Sequence, residues 1–449
     1  MKSVILAVFL SGAVALAARV EPQTPKAPPI KSSPMDTIAE QYVKLVLAMG
    51  QHDADYVDAY YGPPEWKKEA ETSKVDLETI GLRARALRAD LERQPRTATP
   101  SGASSKSGDA EMWRLRVQYL DRQLSALEAR VRILKGERLS FDDESKALYD
   151  TVAPTYPESH FQKILDQLEK RFPGSGPLVD RYAAYRKAFI IPRDKLDAVF
   201  QRAIQAGRER TLQHIKLPSE EKFTVEYVTN KSWSGYNWYQ GGYHSLIQVN
   251  TDLPIFVDRA IDLACHEGYP GHHVYNALLE KNLVKDRGWI EYTVYPLFSP
   301  QSLIAEGTAN FGIEVAFPGK DRAEFEKSAI FPAAGLDPSR AGDYYEVQAL
   351  VDQLSYAGNE AARRYLNKEI DATQAAAWLE RYALMQHDRA VQRVRFFDQY
   401  RSYVINYNLG KDMVRHFIES RGGTDAAPAR RWAEFEALLS SPRLPSELK

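Results

Sequence analysis

The sequence predicts a mostly helical protein with a small β-sheet, and two patterns carry this prediction. From Trp113 to Gly136, apolar residues recur at alternating steps of four and three, which is typical of a long amphipathic helix. A seam of this length more often faces the core of a helical bundle than a partner in a free coiled coil. Near residue 222 the pattern changes to short alternating stretches that are typical of strands.

The composition is that of an ordinary globular protein, with 44% hydrophobic and 27% charged residues in a chain of 449. A formal net charge of -1 argues against nucleic acid or an anionic membrane as a partner. The single cysteine, Cys265, cannot form an internal disulfide. A thiol nucleophile or metal ligand is one reading of its place beside His266. Neighbouring helical residues point about 100° apart, however, which favours a buried apolar thiol.

The first 17 residues are typical of a secretory signal peptide. Lys2 supplies a short basic start, an apolar run follows from Val4 to Ala18, and a small-residue cleavage site ends at Ala17. The run is too short to span a bilayer, and no cysteine follows it to carry a lipid, which argues against an N-terminal membrane anchor. We therefore expect an exported protein, periplasmic or secreted, with no stable membrane anchor after cleavage.

The rest of the chain divides into a tether and one domain. Residues 18–35 are rich in proline and poor in apolar residues, which predicts a flexible tether. Residues 36–449 are expected to form a single catalytic domain, whose first helix begins at Thr37 with a capping box completed by Glu40. Residues 95–109, rich in Pro, Ser, Thr and Gly, predict a flexible loop inside that domain.

Two strands and a following helix are predicted in the middle of the chain. Residues 222–228 and 245–250 alternate in the manner of strands, with an aromatic and glycine-rich stretch between them. A mixed or antiparallel sheet is expected here. Thr251 or Asp252 can cap the next helix, and Pro254 fits its first turn. This helix leads into His266.

The most informative stretch of the sequence ends at His273 and holds three of the nine histidines. In the common zinc-hydrolase helix, with the pattern H-E-x-x-H, two histidines one turn apart bind the metal and the glutamate activates water. His266 and Glu267 match the start of that pattern, but the next histidines are His272 and His273. The spacing therefore departs from the common pattern.

The altered spacing requires a break in the helix. On an unbroken helix His273 would lie on the face of His266 but about 10 Å further along the axis. Both imidazoles could not then bind one zinc ion at about 2.1 Å. A bulge or looped-out turn is permitted by Gly268, Pro270 and Gly271. Looping out two residues brings His272 into the second ligand position, so we prefer it, and His273 stays the alternative.

A catalytic zinc site needs a third protein ligand and leaves the fourth position for water. Glu306 and Glu314 are the candidates, both in a predicted helix. Glu306 has apolar neighbours, so it is expected to point into the core, where a bare carboxylate would be costly without a cation. The predicted site is therefore one Zn2+ per chain, bound by His266, His272 and Glu306.

These motifs resemble the bacterial domain of unknown function 885 family. The likeness is carried by His266, Glu267, the run from Pro270 to His273, and Glu306-Gly307-x-Ala309. That family is similar in pattern to the gluzincins, zinc metallopeptidases with a glutamate ligand, which include carboxypeptidase Taq-like and oligopeptidase-like groups. The resemblance implies a multi-helical, zincin-like metallopeptidase fold with a small β-sheet beside the metal helix. In those groups a Gly-His pair closes the metal motif, which again favours His272.

The resemblance also reaches the C-terminal region. The segment from Tyr407 to Gly410 is similar to a family Tyr-x-x-Gly segment. The dipeptidyl peptidase III group offers a precedent for a lengthened metal helix. One position departs from the family, because Thr308 stands where tryptophan usually follows Glu-Gly. Substrate preference is therefore not carried over.

The expected chemistry assigns a role to several side chains. Glu267 would act as general base toward water and then as acid toward the leaving amine. Tyr407, with Tyr403 as a second choice, would donate a hydrogen bond to the oxyanion, although a core tyrosine is the plain alternative. The edge of the strand that follows His244 is a candidate for pairing with an extended peptide. Candidates for a substrate carboxylate, for which surface ion pairs are the better explanation, are Arg395 and Arg401.

The expected function is that of an exported zinc-dependent peptidase that acts on a peptide or small amide by metal-activated water. Whether it is carboxypeptidase-like stays open. One alternative is a zinc hydrolase of another amide or ester, because the same site would polarise any such carbonyl. The other is a catalytically silent exported protein that binds metal or peptide, because altered spacing is one way a metal site is lost.

Overall fold

The computed structural model describes residues 33–94, 107–231 and 233–448, and most of these residues are helical. The helices before the central sheet are α1 (Pro34–Met49), α2 (Pro64–Ser73), α3 (Leu77–Glu92), α4 (Ser107–Leu134), α5 (Phe141–Tyr149), α6 (Glu158–Arg171), α7 (Leu178–Arg186) and α8 (Leu196–Leu212). Those after it are α9 (Asp258–Leu263), α10 (His272–Leu279), α11 (Pro300–Ala316), α12 (Asp321–Phe325), α13 (Phe331–Ala334), α14 (Ala341–Asp352), α15 (Ala357–Leu366), α16 (Ala372–Tyr382), α17 (His387–Tyr400), α18 (Ile405–Ser420) and α19 (Pro428–Leu439). The predicted mostly helical class is confirmed.

Short helical turns of other pitch connect or extend these helices. The π-helical turns are Ala264–Gly268, Glu280–Lys285 and Glu326–Ile330. The 3-10 turns are Lys187–Phe189, Arg193–Lys195, Ile290–Thr293, Pro338–Arg340, Arg401–Val404 and Pro445–Glu447. Within the described ranges, no helix is long and apolar enough to cross a membrane.

The first helix begins earlier than the sequence predicts. Its N-cap is Ser33, whose hydroxyl accepts a hydrogen bond from the amide of Asp36, while the Asp36 carboxylate accepts one from the amide of Ser33. Pro34 follows at the first helical position, where the missing N–H costs nothing. This capping box replaces the predicted one at Thr37, so the end of the predicted tether is helical. The predicted signal peptide and residues 18–32 lie outside the described residues.

The long amphipathic helix is confirmed as α4, and its apolar seam packs into the core. The helix begins at Ser107, so the last three residues of the predicted loop 95–109 are helical. Residues 95–106 lie outside the described residues. The continuous core runs along the chain from Met35 to Leu448, which binds the described segments into one packed body.

The predicted strands at 222–228 and 245–250 are present in a three-stranded mixed sheet. We number the strands β1 (Val57–Tyr60), β2 (Lys222–Val228), β3 (Gly235–Gly241), β4 (His244–Asn250) and β5 (Val294–Pro296). The order is β2-β4-β3, with β2 parallel to β4 and β3 antiparallel to it. Strands β1 and β5 form a separate antiparallel pair, which the sequence does not reveal because both are very short.

The helix that leads to His266 begins at Asp258, so the predicted start near residues 251–254 is wrong. The residues before it satisfy other partners. The carboxylate of Asp252 accepts hydrogen bonds from the amides of Asn230 and Lys231, and Phe256 forms a β-bridge with Ile190. Asp252 thus stabilises a loop through hydrogen bonds to backbone amides, and these bonds compete with its use as a helix cap.

Candidate metal centre

The metal helix breaks between the two histidines. Helix α9 continues into the π-helical turn at residues 264–268, the chain loops out over residues 269–271, and α10 begins at His272. The amide of Gly271 donates to the carbonyl of Cys265 at 2.9 Å. A Cβ atom at Gly271 would lie 1.9 Å from the carbonyl oxygen of His266, so only glycine fits this approach. The interruption falls on the glycine and proline residues that predict it.

The break brings two imidazoles and one carboxylate together. Nε2 of His272 lies 3.1 Å from Nε2 of His266. Oε2 of Glu306 lies 3.2 Å from Nε2 of His266 and 3.8 Å from Nε2 of His272. Glu306 is buried, and the two histidines are largely covered. Within the described ranges, this is a group of three side chains whose ligand atoms converge closely enough for one metal ion.

The spacing of the three atoms fits a tetrahedral zinc ion. Two ligand atoms bound at about 2.1 Å to a tetrahedral centre lie about 3.4 Å apart. The observed separations of 3.1, 3.2 and 3.8 Å scatter around that value. Two imidazole nitrogens and one carboxylate oxygen are also the donor set of many catalytic zinc sites. The side chains in this structure therefore fit the metal that the sequence predicts.

A hydrogen bond orients the imidazole of His266. Its Nδ1 lies 3.1 Å from Oδ1 of Asn310, and Nδ2 of Asn310 donates to the carbonyl of Tyr407 at 3.2 Å. Because the amide nitrogen of Asn310 is engaged as a donor, its oxygen is the acceptor, and Nδ1 of His266 carries the proton. In the neutral ring, which is the form that binds a metal ion, Nε2 keeps its lone pair and points at Glu306. Such second-layer partners are usual for metal-binding histidines.

One oxygen of Glu306 is anchored and the other is not. The hydroxyl of Tyr403 donates to Oε1 at 2.8 Å, whereas buried Oε2 has no hydrogen-bond partner of good geometry. A buried carboxylate oxygen without a donor is costly unless a cation meets it. Oε2 is also the atom that faces both imidazoles. The orphan oxygen thus marks the position where a metal ion would be held.

The close crossing of α11 and α18 places Tyr403 and Tyr407 beside Glu306. A Cβ atom at Gly307 would lie 2.5 Å from the carbonyl carbon of Gly410, and one at Gly410 would lie 2.8 Å from the carbonyl of Leu303. Only two glycines allow the helices to approach this closely. The Glu306-Gly307 segment and the segment from Tyr407 to Gly410 therefore contact each other where the two helices cross.

His273 faces away from this centre. Its Nδ1 lies 2.9 Å from the hydroxyl of Ser245 and its Nε2 lies 3.0 Å from the carboxylate of Glu221. The hydroxyl of Tyr269 also donates to Glu221 at 2.6 Å, and the His273 side chain is fully buried. Both ring nitrogens of His273 are thus used in a structural network between α10 and the sheet.

Electrostatics place a positive charge at the centre. Burial lowers the pKa of His266, but the contact with Glu306 and the nearby carboxylate charges outweigh burial and raise it to about 9. Burial and the charge of His266 lower the pKa of His272 to about 4. Burial alone would raise the pKa of Glu306, but the two imidazoles and Tyr403 hold it below its ordinary value. The three groups are therefore arranged around one cation, here a proton on His266.

Glu267 lies beside the three converging groups. Burial raises its pKa to about 7, while the charge of His266 opposes this rise. Strand β3 passes directly over it: a Cβ atom at Gly235 would lie 2.9 Å from Oε1 of Glu267, and Nδ2 of Asn237 donates to its backbone carbonyl at 2.7 Å. Glu267 is therefore held between the metal helix and the edge strand.

Tyr407 and Tyr403 differ in what their hydroxyl groups do. The Tyr403 hydroxyl is engaged by Glu306, so the second-choice oxyanion donor has a positioning role here. Burial raises the pKa of Tyr407 well above its usual value, and Glu306 and Glu267 add to that rise. Among the described residues, no partner accepts a hydrogen bond from the Tyr407 hydroxyl. That hydroxyl remains available to a ligand.

The other predicted residues lie elsewhere or have other partners. His244 begins β4, the central strand of the sheet. Because β2 and β3 pair with the two edges of β4, the predicted pairing of a peptide with β4 is wrong. Arg401 pairs with Glu144 at 2.6 Å, and Arg395 is exposed. Glu314 pairs with Lys411 and Arg415.

Cys265 is fully buried, as expected of an apolar thiol, and burial raises its pKa to about 12.

Sequence analysis missed Asn310 and Asp58. Asn310 lies four residues after Glu306, one turn along the same helix, and this spacing is the signal that points to it. Asp58 accepts a hydrogen bond from the hydroxyl of Tyr236. Burial, with the charges of Glu306 and Glu267, raises the pKa of Asp58 to about 8. No local pattern marks Asp58, because only the tertiary fold brings β1 to the metal helix.

Comparisons with known proteins find weak likenesses to two solved structures. The chain matches no family model and no curated protein. Among solved structures it resembles a candidate lipoprotein from Colwellia psychrerythraea, with a TM-score of 0.48 and 16% identity over 85% of this chain and 71% of that one. It also resembles a candidate lipoprotein of unknown function from Shewanella oneidensis, with a TM-score of 0.43 and 13% identity over 94% of this chain and 88% of that one. Likenesses of this size support no argument about activity.

Proposed function

We propose that this protein is an exported zinc-dependent peptidase with a zincin-like arrangement of its metal helix. The observation that carries the proposal is the convergence of His266, His272 and Glu306 at separations suited to one tetrahedral ion. The resemblance to the domain of unknown function 885 family and the gluzincins agrees with this donor set. Export rests on the signal-like residues 1–17.

Bound zinc supplies Lewis acidity, which activates water and polarises a carbonyl group. Glu267 takes the proton of the attacking water on its carboxylate and passes it to the leaving amine. Its burial suits this role, because a carboxylate with a pKa near neutrality accepts and returns a proton readily. A purely structural metal site would have no use for such a base.

Tyr407 stabilises the oxyanion that forms when water attacks the carbonyl. Its hydroxyl is unengaged among the described residues, and the high pKa keeps it protonated as a donor. Tyr403 acts through Glu306, whose Oε1 it holds at 2.8 Å. The two neighbouring tyrosines therefore have different roles: Tyr407 acts on the substrate, and Tyr403 orients the ligand Glu306.

A peptide is the favoured substrate because an edge strand runs past Glu267. Strand β3 is at the end of the order β2-β4-β3, and no strand in the described ranges pairs with its outer edge. An extended peptide added there would form main-chain hydrogen bonds and pass over Glu267. The glycine at 235 leaves room for the carboxylate at the point of closest approach.

The first test is metal content, measured by mass spectrometry on the purified mature protein after zinc is supplied. We expect about one zinc per chain in the parent protein, and its loss in His272→Ala and in Glu306→Gln. The matched control is His387→Ala, which removes an exposed imidazole that pairs with Glu380. Zinc retained by the His272→Ala protein, or no zinc in the parent protein, would contradict the proposed site.

The second test separates an enzyme from a silent binding protein. Glu267→Gln keeps the size of the side chain but removes the base, so an enzyme loses peptide hydrolysis while keeping its zinc. Hydrolysis of a mixed peptide library, followed by mass spectrometry, gives the readout. A parent protein that binds zinc but cleaves none of these peptides would favour the binding protein, and cleavage of esters or other amides alone would favour the other hydrolase.

A further inference from the structure

Two arginines on one face of α17 have no acidic partner. Arg389 and Arg393 are one helical turn apart, and among the described residues neither forms a hydrogen bond or an ion pair with a carboxylate. Nε of Arg393 is buried and has no hydrogen-bond partner. The guanidinium of Arg393 contacts aromatic rings instead, with Cζ 4.4 Å from the ring centre of Phe396 and 5.8 Å from that of Tyr407.

Unpaired charges of this kind are unfavourable in a folded protein unless a ligand uses them. Burial lowers the pKa of Arg393, and burial with the charges of Arg259 and Arg186 lowers that of Arg389. The other arginines of the group have carboxylates beside them: Arg259 lies 3.1 Å from Asp262, which it shares with Arg322, and Arg186 lies 3.5 Å from Asp258. The excess positive charge is therefore concentrated on Arg389 and Arg393.

Tyr407 links this charge to the candidate metal centre. Tyr407, which Arg393 contacts, also interacts electrostatically with Glu306 and Glu267. Arg259, whose charge reaches Arg389, opposes protonation of both His266 and Glu267. Arg393 is thus in contact with Tyr407, the proposed oxyanion donor, and Arg389 lies one turn before it on the same helix.

We propose that Arg389 and Arg393 bind the C-terminal carboxylate of the substrate, so that the protein removes residues from the C-terminus of peptides. This inference rests on the proposed peptidase function. Guanidinium groups match a carboxylate through paired, charge-assisted hydrogen bonds. The interior of a long peptide has no such charge and would leave both arginines unpaired. An acidic side chain shares this chemistry, and the test below distinguishes the two sources.

The binding test uses the zinc-loaded Glu267→Gln protein, in which the probes are not hydrolysed. The probes are N-acetyl-tetraalanine as the free acid, the same peptide as the C-terminal amide, and an amide that ends in glutamate. Isothermal calorimetry is expected to show the free acid bound at least about tenfold more tightly than the alanine amide, as loss of a charged hydrogen bond implies. Equal affinity for acid and amide would overturn the proposal without any further variant.

Variants then assign the effect to the two arginines. Adding Arg393→Gln or Arg389→Gln should reduce the preference for the free acid to about twofold or less, whereas Arg395→Gln, an exposed arginine on the same helix, should preserve it. The melting temperature of Arg393→Gln should fall only slightly, because the arginine has ring contacts but no ion pair to lose. A fall in melting temperature with equal loss of both peptides, or tight binding of the glutamate amide, would overturn the assignment.

The products of the parent enzyme separate this inference from the proposed function. Loss of single residues from the free acid, with the amide resistant, supports both. Cleavage of amidated and free peptides at equal rates refutes the C-terminal assignment but leaves the peptidase in place. Failure of the zinc-loaded parent protein to cleave any peptide refutes the proposed function itself.

Discussion

Replacing Tyr403 with phenylalanine tests how the fold prepares Glu306 for a metal ion. The hydroxyl of Tyr403 donates to Oε1 of Glu306 at 2.8 Å inside the core, where water does not replace it. A hydrogen bond to a charged group is worth about 1.5–3 kcal/mol. Since a factor of ten corresponds to about 1.4 kcal/mol, zinc affinity should fall by about 10- to 100-fold, which is also the usual effect of losing a second-layer partner.

The neighbouring Tyr407 provides the matched control. It lies on the same side of Glu306 but forms no hydrogen bond with it among the described residues. Tyr407→Phe should therefore leave zinc affinity unchanged and reduce kcat by about 100- to 1000-fold, as the loss of an oxyanion donor does. Zinc affinity is measured by competition with a fluorescent chelator, and kcat on a peptide that the parent protein cleaves. Unchanged zinc affinity in Tyr403→Phe, or weakened affinity in Tyr407→Phe, would refute this division of roles.

Three further predictions concern the fold around the centre. Zinc at 100 times its Kd should stabilise the protein by about 2.7 kcal/mol, so a chelator should lower the melting temperature of the parent protein but not that of His272→Ala. Gly410→Ala should lower the free energy of unfolding in denaturant by about 1–3 kcal/mol, because its Cβ would lie 2.8 Å from the Leu303 carbonyl. Gly342→Ala, whose Cβ would have nothing within 4 Å, should raise the free energy of unfolding by about 0.4–1 kcal/mol. Equal effects of the two substitutions would contradict the close crossing. Burial raises the pKa of the Cys265 thiol to about 12. The thiol of the folded protein should therefore resist iodoacetamide between about pH 7 and pH 9, while the thiol of the unfolded chain reacts. Rapid labelling of the folded protein would show that the thiol is accessible.

The glycines at the centre show how local and tertiary information combine. The sequence alone reveals that His266 and His272 are too far apart for a regular helix and that the residues between them permit a break. Where the chain loops out, Gly271 comes so close to the His266 carbonyl that a side chain would clash, so the break requires the glycine that the sequence places there. Gly307 and Gly410 are different, because their shared role arises only where α11 and α18 cross.

Several features were decided by contacts between distant segments. The predicted helix start near residue 252 is wrong because Asp252 accepts hydrogen bonds from Asn230 and Lys231, which lie far earlier in the chain. The predicted capping at Thr37 is wrong for a local reason, because Ser33 and Asp36 form the capping box instead. The pairing of β2 with β4 also removes the edge that the sequence suggests for a peptide, and it moves that edge to β3. Strand order depends on the whole fold, so alternation along one strand cannot predict it.

The sequence by itself determined the helical class, strands β2 and β4 and the residue types of the candidate metal centre, because each of these depends on local spacing and side-chain chemistry. Only the tertiary structure decided which imidazole faces Glu306 and which joins Glu221. It also decided that Tyr403 and Asn310 orient the candidate ligands and that Arg389 and Arg393 are left without acids. The physical reason is that the partner of a polar side chain, or its lack of one, depends on which segments the fold brings together. These segments are separated by up to hundreds of residues in the chain.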